Sequence, residues 1–292
     1  MFRSVNTKNP LEVEEQVSDI YRTLYPAGDR EFISKSFAWA KQCFSGEYDG
    51  YQAIDALYHD FEHTLQGTLC LGRLLAGREK AGARPALPQR LFELSLLAIL
   101  FHDTGYLKRD NDREGTGAKY TLVHVDRSAR FAADYLSRQG VGLEEVKSIE
   151  NMIRCTGVNT DLASIPFADE MERMLGAALG TSDLLGQMAA PDYVDKLPIL
   201  FLEFEEAALY DGEKNSRFAQ FSSAEDLIRN SPSFWSDYVE PRIRDDFHEL
   251  YRYLNDPYPD GPNPYLEAIE KNLSRLRHII ADQAARPGLG AS

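Results

Sequence analysis

The sequence predicts an all-α fold, and three observations indicate it. Apolar residues recur every three to four positions over most of the 292 residues, which is the spacing of amphipathic helices. Runs that alternate apolar and polar residues, which would indicate strands, extend over only a few residues. Residues 91–101 are apolar on nearly all sides, as a buried central helix would be. Together these features predict a helical bundle.

The apolar periodicity places ten helices along the chain. They are expected over residues 11–25, 31–44, 61–75, 91–101, 122–136, 146–155, 171–188, 193–209, 234–254 and 264–280. Three connections separate them: residues 78–88 are rich in Gly, Pro and Ala, residues 108–119 are polar and charged, and residues 256–264 carry four prolines. Proline lacks the backbone donor that a helix needs, so the last connection is expected to be irregular.

We expect one all-helical domain over residues 1–292. Residues 51–212 would form its core, residues 213–286 would form peripheral C-terminal helices, and the tail after Arg286 would be frayed. Repeats and low-complexity blocks, which would argue for several modules, are not found in the sequence.

The charge balance narrows the class of partner. The chain has 46 acidic and 32 basic residues, a formal net charge of −14. Such a surface repels phosphate backbones, which argues against a nucleic-acid-binding protein but allows a small phosphorylated ligand in a metal-lined pocket. Three widely spaced cysteines suggest a reduced compartment. The first 19 residues have no apolar segment like that of a signal peptide, and the most apolar stretch, residues 91–101, is too short for a membrane helix. We therefore expect a soluble cytoplasmic protein without membrane contact.

His102 and Asp103 form the most informative local pair. They follow the apolar segment directly, so an imidazole and a carboxylate reach the edge of the core together. Burying both without a partner costs several kcal/mol, and a divalent cation removes that cost by accepting both groups. The alternative is a surface His–Asp hydrogen bond at a helix C-terminus. Asp183 is a similar case, because it lies among small and apolar residues.

Three further histidines are candidates for the same site. His59 and His63 are four residues apart, which would place both on one face of a helix. His124 follows in the next helical segment, where it is either a metal ligand or a histidine at the edge of the core. His248 and His278 lie in amphipathic surroundings and are interpreted as structural or surface residues.

The order of these residues resembles the HD-domain superfamily of metal-dependent phosphohydrolases. The segment YHDFEH is similar to the YHNxxH signature of the class I cyclic-nucleotide phosphodiesterases. AILFHDTGY resembles their HD segment, TSDLLGQM the segment with their last metal-binding aspartate, and EFEEAALYDG the stretch that follows it. The resemblance covers residues 58–212, roughly half of the chain.

The resemblance implies an HD-type bundle with the metal site among its central helices. It assigns His63, His102, Asp103 and Asp183 to a first metal, Zn or Fe. Asp103 would bridge to a second metal, Mg or Mn, which His124 would also bind. The implied reaction is hydrolysis of a phosphodiester or phosphomonoester in a nucleotide or cyclic nucleotide. Hydroxide activated at the metals would attack, and His59 would be the general acid.

The sequence departs from the phosphodiesterase pattern in ways that bear on the substrate. Thr104, Gly105 and Tyr106 occupy the stretch where the phosphodiesterases have a second histidine, and Asp60 replaces an asparagine. The glutamine and aromatic clamp that grips a purine there cannot be aligned. These differences weigh against a cyclic nucleotide but not against a metal phosphohydrolase.

Side chains near the site are candidates for substrate binding. Basic residues of the 108–119 loop, namely Lys108, Arg109, Arg113 and Lys119, would receive phosphate charge, unless the loop is simply solvated and balanced by its own acidic residues. Gln187 lies one turn after Asp183 and would face the same cavity.

Two alternatives to a phosphohydrolase stay open. An HD-fold di-iron oxygenase would need more histidines around two irons than this chain offers. A degenerate HD domain would bind a nucleotide without turnover. In each case we expect a small phosphorylated ligand or substrate, no nucleic-acid polymer and no membrane, and a homodimer is left open.

Overall fold

The computed structural model describes residues 2–158, 160–211 and 221–285, and these residues form ten α-helices. The helices are α1 Pro10–Leu24, α2 Phe32–Phe44, α3 Phe61–Lys80, α4 Gln89–Phe101, α5 His124–Arg138, α6 Leu143–Arg154, α7 Glu170–Met188, α8 Tyr193–Asp211, α9 Ala224–Phe234 and α10 Pro264–Ala284. Within the described ranges the only β-type pairing is an isolated bridge between Tyr51 and Arg109. The all-α prediction is confirmed.

Helix α4 forms the centre of the fold. Every residue from Phe92 to Phe101 is buried, and α4 packs against α2, α3, α6 and α7. The continuous apolar run explains this position, because burial of one Leu or Phe side chain contributes about 1.5–3 kcal/mol. The helix ends inside the protein, so the residues that follow it, His102 and Asp103, are almost fully buried.

Close packing of α3 against α7 brings two predicted ligands together. A side chain at Gly186 would place its Cβ 2.8 Å from the backbone of Gln66 and Gly67. A Cβ at Gly67 would lie 3.7 Å from the Cα of Asp183. Glycine at position 186 therefore lets the helix backbones approach closely, with Asp183 facing the first turns of α3.

A second close approach places α5 beside the end of α4. A 3₁₀ turn over Thr104–Tyr106 follows Asp103, and a Cβ at Gly105 would lie 2.0 Å from the carbonyl oxygen of His124. Only glycine allows this contact. The backbone N–H of Gly105 donates to Ser128 Oγ at 2.8 Å, and Arg127 donates from Nε to the Gly105 carbonyl at 2.7 Å. These bonds hold the start of α5 against Asp103.

The C-terminal helix predicted over residues 234–254 is wrong. α9 ends at Phe234, and two π-helical turns, Trp235–Val239 and Arg242–Asp246, precede a 3₁₀ turn over Leu250–Leu254. Proline at position 241 supplies no backbone donor, and the left-handed backbone of His248 and Glu249 (φ 52° and 56°) prevents a continuous helix.

Other boundaries differ in detail. α3 continues to Lys80, five residues beyond its predicted end, so the 78–88 connection begins later. The 256–264 connection is irregular up to Pro264, as predicted. Residue 212, where the predicted core ends, and the tail after Arg286 lie outside the described residues. No helix in the described part of the chain has the length and apolar character needed to cross a bilayer.

Candidate metal centre

Four predicted ligands converge on one point between α3, α4 and α7. His63 Nε2 lies 3.3 Å from Asp103 Oδ2 and 3.2 Å from Asp183 Oδ1. His102 Nε2 lies 3.3 Å and 3.4 Å from the same two oxygen atoms. The four atoms thus form a ring in which nitrogen and oxygen alternate. We call His63, His102, Asp103 and Asp183 the four-residue cluster.

The cluster has the chemistry and the spacing of a cation site. Neighbouring ligands of an octahedral metal ion lie about 3 Å apart when each is slightly over 2 Å from the metal. His102 Nε2, Asp103 Oδ2 and Asp183 Oδ1 are buried and make no hydrogen bond, which is costly unless something else binds them. His102 Nδ1 lies 2.7 Å from the Ile99 carbonyl, so its proton is held there and Nε2 is left as the acceptor. The residues fit a divalent cation.

The charges of the cluster stabilise one another. Burial alone raises the pKa of Asp183, but the neighbouring His102 and His63 rings hold it far below its usual range. Burial alone lowers the pKa of His102, yet Asp103 and Asp183 raise it to about 9. The two carboxylates therefore need positive charge beside them, which protons on the imidazoles or a bound cation would supply.

His124 stands on the other side of Asp103. Its Nε2 lies 3.8 Å from Asp103 Oδ1, and its Nδ1 lies 2.7 Å from the Thr121 carbonyl. Burial lowers the pKa of this ring, which favours the neutral form that binds metals. Asp103 thus directs one oxygen to the cluster and the other to His124, so a second cation would have these two side chains as ligands.

His59 does not share a helix with His63, contrary to the prediction from their spacing. Asp60 caps α3: its backbone is extended, and its carboxylate accepts from the His63 backbone N–H at 2.8 Å. His59 therefore precedes the helix. Its ring nevertheless lies 5.4 Å from the His63 ring, centroid to centroid. The capping role also explains Asp60 in place of asparagine, because both side chains cap helices well.

Glu203 of α8 positions His59, a relationship that the sequence analysis missed. His59 Nδ1 lies 2.6 Å from Glu203 Oε2, and the Tyr58 backbone N–H donates to Glu203 Oε1 at 2.7 Å. Burial alone lowers the pKa of His59, but Glu203 and then Asp103 and Asp183 outweigh it, so the pKa is raised. A carboxylate within the apolar run PILFLEF was the signal that could have identified Glu203.

Tyr106 fills the space between the two outer histidines. Its ring stacks on His59 at 4.5 Å and 14°, and on His124 at 4.7 Å and 23°. The ring is fully buried. Tyr106, which occupies the stretch where the phosphodiesterases have a histidine, therefore fixes the orientation of both neighbours by packing.

A cavity of about 1330 Å³ opens from this centre. His59, His63, Asp103, His124 and Asp183 all line it. Gln187 lines it too, as predicted, and accepts a hydrogen bond from the Tyr58 hydroxyl at 3.0 Å. That bond directs the Gln187 carbonyl oxygen to Tyr58, and a role for Gln187 in substrate binding stays a prediction.

The structure places Lys108 and Arg109 away from the substrate position proposed for them. Among the described residues that line the cavity, neither is found. Lys108 is 5% exposed, pairs with Asp55 at 2.7 Å and donates to the Gly115 carbonyl. Arg109 lies over the Tyr51 ring at 4.1 Å. Lys119 is likewise buried and pairs with Asp112, so the loop is packed through its lysines rather than solvated.

We expect Lys108→Met to destabilise the protein and to leave the affinity for a phosphorylated substrate unchanged. Removing one partner of a fully buried pair costs about 3–5 kcal/mol, and the partial exposure of Asp55 reduces our expectation to about 2 kcal/mol. Chemical denaturation measures this loss of unfolding free energy. Arg109→Met is the control and should lose less than about 1 kcal/mol. An increased KM with unchanged stability would restore Lys108 as a substrate ligand.

Comparison with known proteins identifies a family. None of the curated proteins matches the sequence. Residues 11–255 match the Npun_R2479-like family, and this segment contains the whole centre from His59 to Glu203. Because the match covers most of the chain, the protein belongs to the Npun_R2479-like family.

Proposed function

We propose that the protein is a metal-dependent phosphohydrolase of the HD type, which hydrolyses a phosphodiester or phosphomonoester. One observation carries the proposal: the four-residue cluster presents three buried ligand atoms without hydrogen bonds, at the spacing of metal ligands. The resemblance to the HD superfamily adds the reaction class, and His59, whose ring contacts Glu203, lines the same cavity.

The ligands divide between two positions. The four-residue cluster would hold the first cation, and Asp103 with His124 would hold the second. Divalent cations at such positions activate water and offset the charge of the phosphoryl oxygens. The protein supplies the fixed ligand geometry, through the close packing at Gly105 and Gly186.

His59 would supply the proton for the leaving alkoxide. With Nδ1 held by Glu203, its remaining nitrogen Nε2 is the atom available to a substrate in the cavity. The raised pKa keeps more of the ring protonated near neutral pH, which suits a general acid. Glu203 fixes the ring orientation and stabilises its charge.

The resemblance suggests a nucleotide or cyclic nucleotide as the substrate, and any phosphomonoester or phosphodiester satisfies the chemistry of the centre. The di-iron oxygenase alternative is less well supported, since within the described ranges the imidazoles with a nitrogen within 4 Å of Asp103 are those of His63, His102 and His124. A degenerate binding module is disfavoured because the complete ligand set has been kept.

We expect purified protein to contain one or two divalent metal ions per chain and to hydrolyse phosphoesters. Elemental analysis gives the metal content. Protein stripped by a chelator and reloaded separately with Zn²⁺, Fe²⁺, Mn²⁺ or Mg²⁺ is then assayed on bis(4-nitrophenyl) phosphate, 4-nitrophenyl phosphate and nucleotides. Activity should vanish with the metal and return on reloading.

Two other results would contradict the proposal. Protein that binds no metal and hydrolyses none of these esters with added Mn²⁺ would be a degenerate module. Iron together with O₂ consumption, but without phosphate release, would indicate the oxygenase.

A further inference from the structure

The cavity that contains the candidate metal centre also has a large apolar wall. Its apolar lining residues come from α7, α8, α9 and the residues just before α9: they are Leu184, Leu197, Leu200, Phe204, Phe221 and Leu227. The cavity volume of about 1330 Å³ exceeds the range of about 300–1000 Å³ that holds most small ligands. A phosphate group occupies only a small part of such a space.

Apolar side chains that line the cavity also reach solvent. Five of the large hydrophobic residues described along its lining are substantially exposed: Leu122 (39%), Val123 (50%), Leu143 (79%), Val158 (47%) and Phe234 (38%). Isolated exposed apolar residues are ordinary, but a set that lines one opening indicates a surface that binds apolar groups. The apolar character therefore extends from the interior of the cavity to its rim.

Another wall of the same cavity is polar. Helix α6 lines it with Glu144, Lys147, Glu150 and Arg154, which recur every three to four residues along one face. The cavity thus combines charged residues on one helix with an extended apolar surface on others. A ligand that matches it has a polar head and an apolar body.

We propose that the substrate is an amphipathic phosphoester, in which a long alkyl-type chain is attached to the phosphate. This inference rests on the proposed function. The phosphoryl group would lie at the four-residue cluster and the chain along the apolar wall. A nucleoside fits this wall less well, because its base and ribose hydroxyls would face leucine and phenylalanine without hydrogen-bond partners.

The test is a series of alkyl 4-nitrophenyl phosphodiesters, from methyl to octyl, used below their micellar concentrations. Water adds to phosphorus, the bond to the nitrophenolate breaks, and alkyl phosphate and a proton are released. The leaving group is constant, so differences report binding of the chain. Each buried methylene is worth about fourfold. We expect kcat/KM to increase at least about a hundredfold between the methyl and octyl esters.

Two variants test where the alkyl chain of the substrate binds. Leu200→Asn on the apolar wall and Phe234→Ser on the rim should each lower the octyl-to-methyl ratio of kcat/KM about tenfold. Leu202→Asn is the matched control: it lies on the same helix as Leu200, is 56% exposed and does not line the cavity, so the ratio should stay as in the wild type. Equal ratios in wild type, Leu200→Asn and Phe234→Ser would overturn the proposal.

The series separates this inference from the proposed function. If the methyl ester is hydrolysed but kcat/KM does not increase with chain length, or if nucleotides are better substrates than the octyl ester, the amphipathic substrate is wrong and the phosphohydrolase stands. If no ester is hydrolysed, the affinities of octylphosphonate and methylphosphonate are compared by calorimetry. At least tenfold tighter binding of the octyl compound supports the apolar site, and equal affinities refute it.

Discussion

Replacing Asp103 with alanine is expected to remove the bound metal and the hydrolytic activity together. Asp103 is 1% exposed, and each of its oxygens faces histidines: Oδ2 faces His63 and His102, and Oδ1 faces His124. Asp103 is therefore the carboxylate that would serve both proposed metal positions. Loss of this carboxylate therefore weakens metal binding at both positions, whereas loss of His124 would weaken metal binding only at the second position.

The expected effect on rate is large. A metal ion contributes several kcal/mol to stabilisation of the transition state, and each 1.4 kcal/mol corresponds to tenfold in rate. We expect kcat/KM of Asp103→Ala to decrease about a thousandfold or more, with less than about a tenth of the wild-type metal content. Elemental analysis and the bis(4-nitrophenyl) phosphate assay measure the two quantities on the same sample.

Asp126→Ala is the matched control for Asp103→Ala. Asp126 lines the same cavity, but its side chain is 67% exposed and its carboxylate lies 3.8 Å from Arg154 Nε. The metal content of Asp126→Ala should equal that of the wild type. Circular dichroism confirms that both variants are folded. A folded Asp103→Ala protein with full metal content would show that the four-residue cluster does not hold the ion.

Much of the fold and of the cluster could be predicted from sequence because local patterns determine them. The continuous apolar run of α4 specifies a central helix, so His102 and Asp103 had to be buried at its end. Asp183 is conspicuous for the same reason, since a carboxylate in an apolar helix needs a partner. Helical periodicity and the cost of burying charge marked these three residues, and the family resemblance added His63 and the assignment of all four to one metal.

The remaining features depend on contacts between distant segments. Lys108 is buried because its ammonium group pairs with the carboxylate of Asp55, which lies 53 positions earlier in the chain. The charged residues of the loop do not by themselves predict this pair. Glu203 reaches His59 across 144 positions. His59 itself was assigned to a helix by its spacing from His63, but Asp60 is the N-cap of α3, so the helix begins only after His59. Capping chemistry outweighed periodicity at that point.

We expect His59→Ala to keep the metal and to lose turnover, most severely for poor leaving groups. His59 is not a member of the four-residue cluster, so the ligand set of the first metal remains complete in the variant. General acid catalysis contributes about 10²–10⁴-fold, and this contribution is greatest where the departing alkoxide is strongly basic. An alkyl phosphodiester should therefore lose about a thousandfold in kcat, whereas a 4-nitrophenyl ester should lose much less. His278→Ala, an exposed histidine on α10, is the matched control and should behave as wild type.

The contact with Glu203 makes the assignment of His59 testable beyond a simple loss of activity. If Glu203 acts by orienting His59 and stabilising its protonated form, Glu203→Gln should lower kcat with the same dependence on leaving group. The same substitution should then have little further effect on kcat in the His59→Ala background. Additive effects of the two substitutions would mean that Glu203 acts elsewhere. If His59→Ala retained full activity on an alkyl phosphodiester, the general acid would have to be another group.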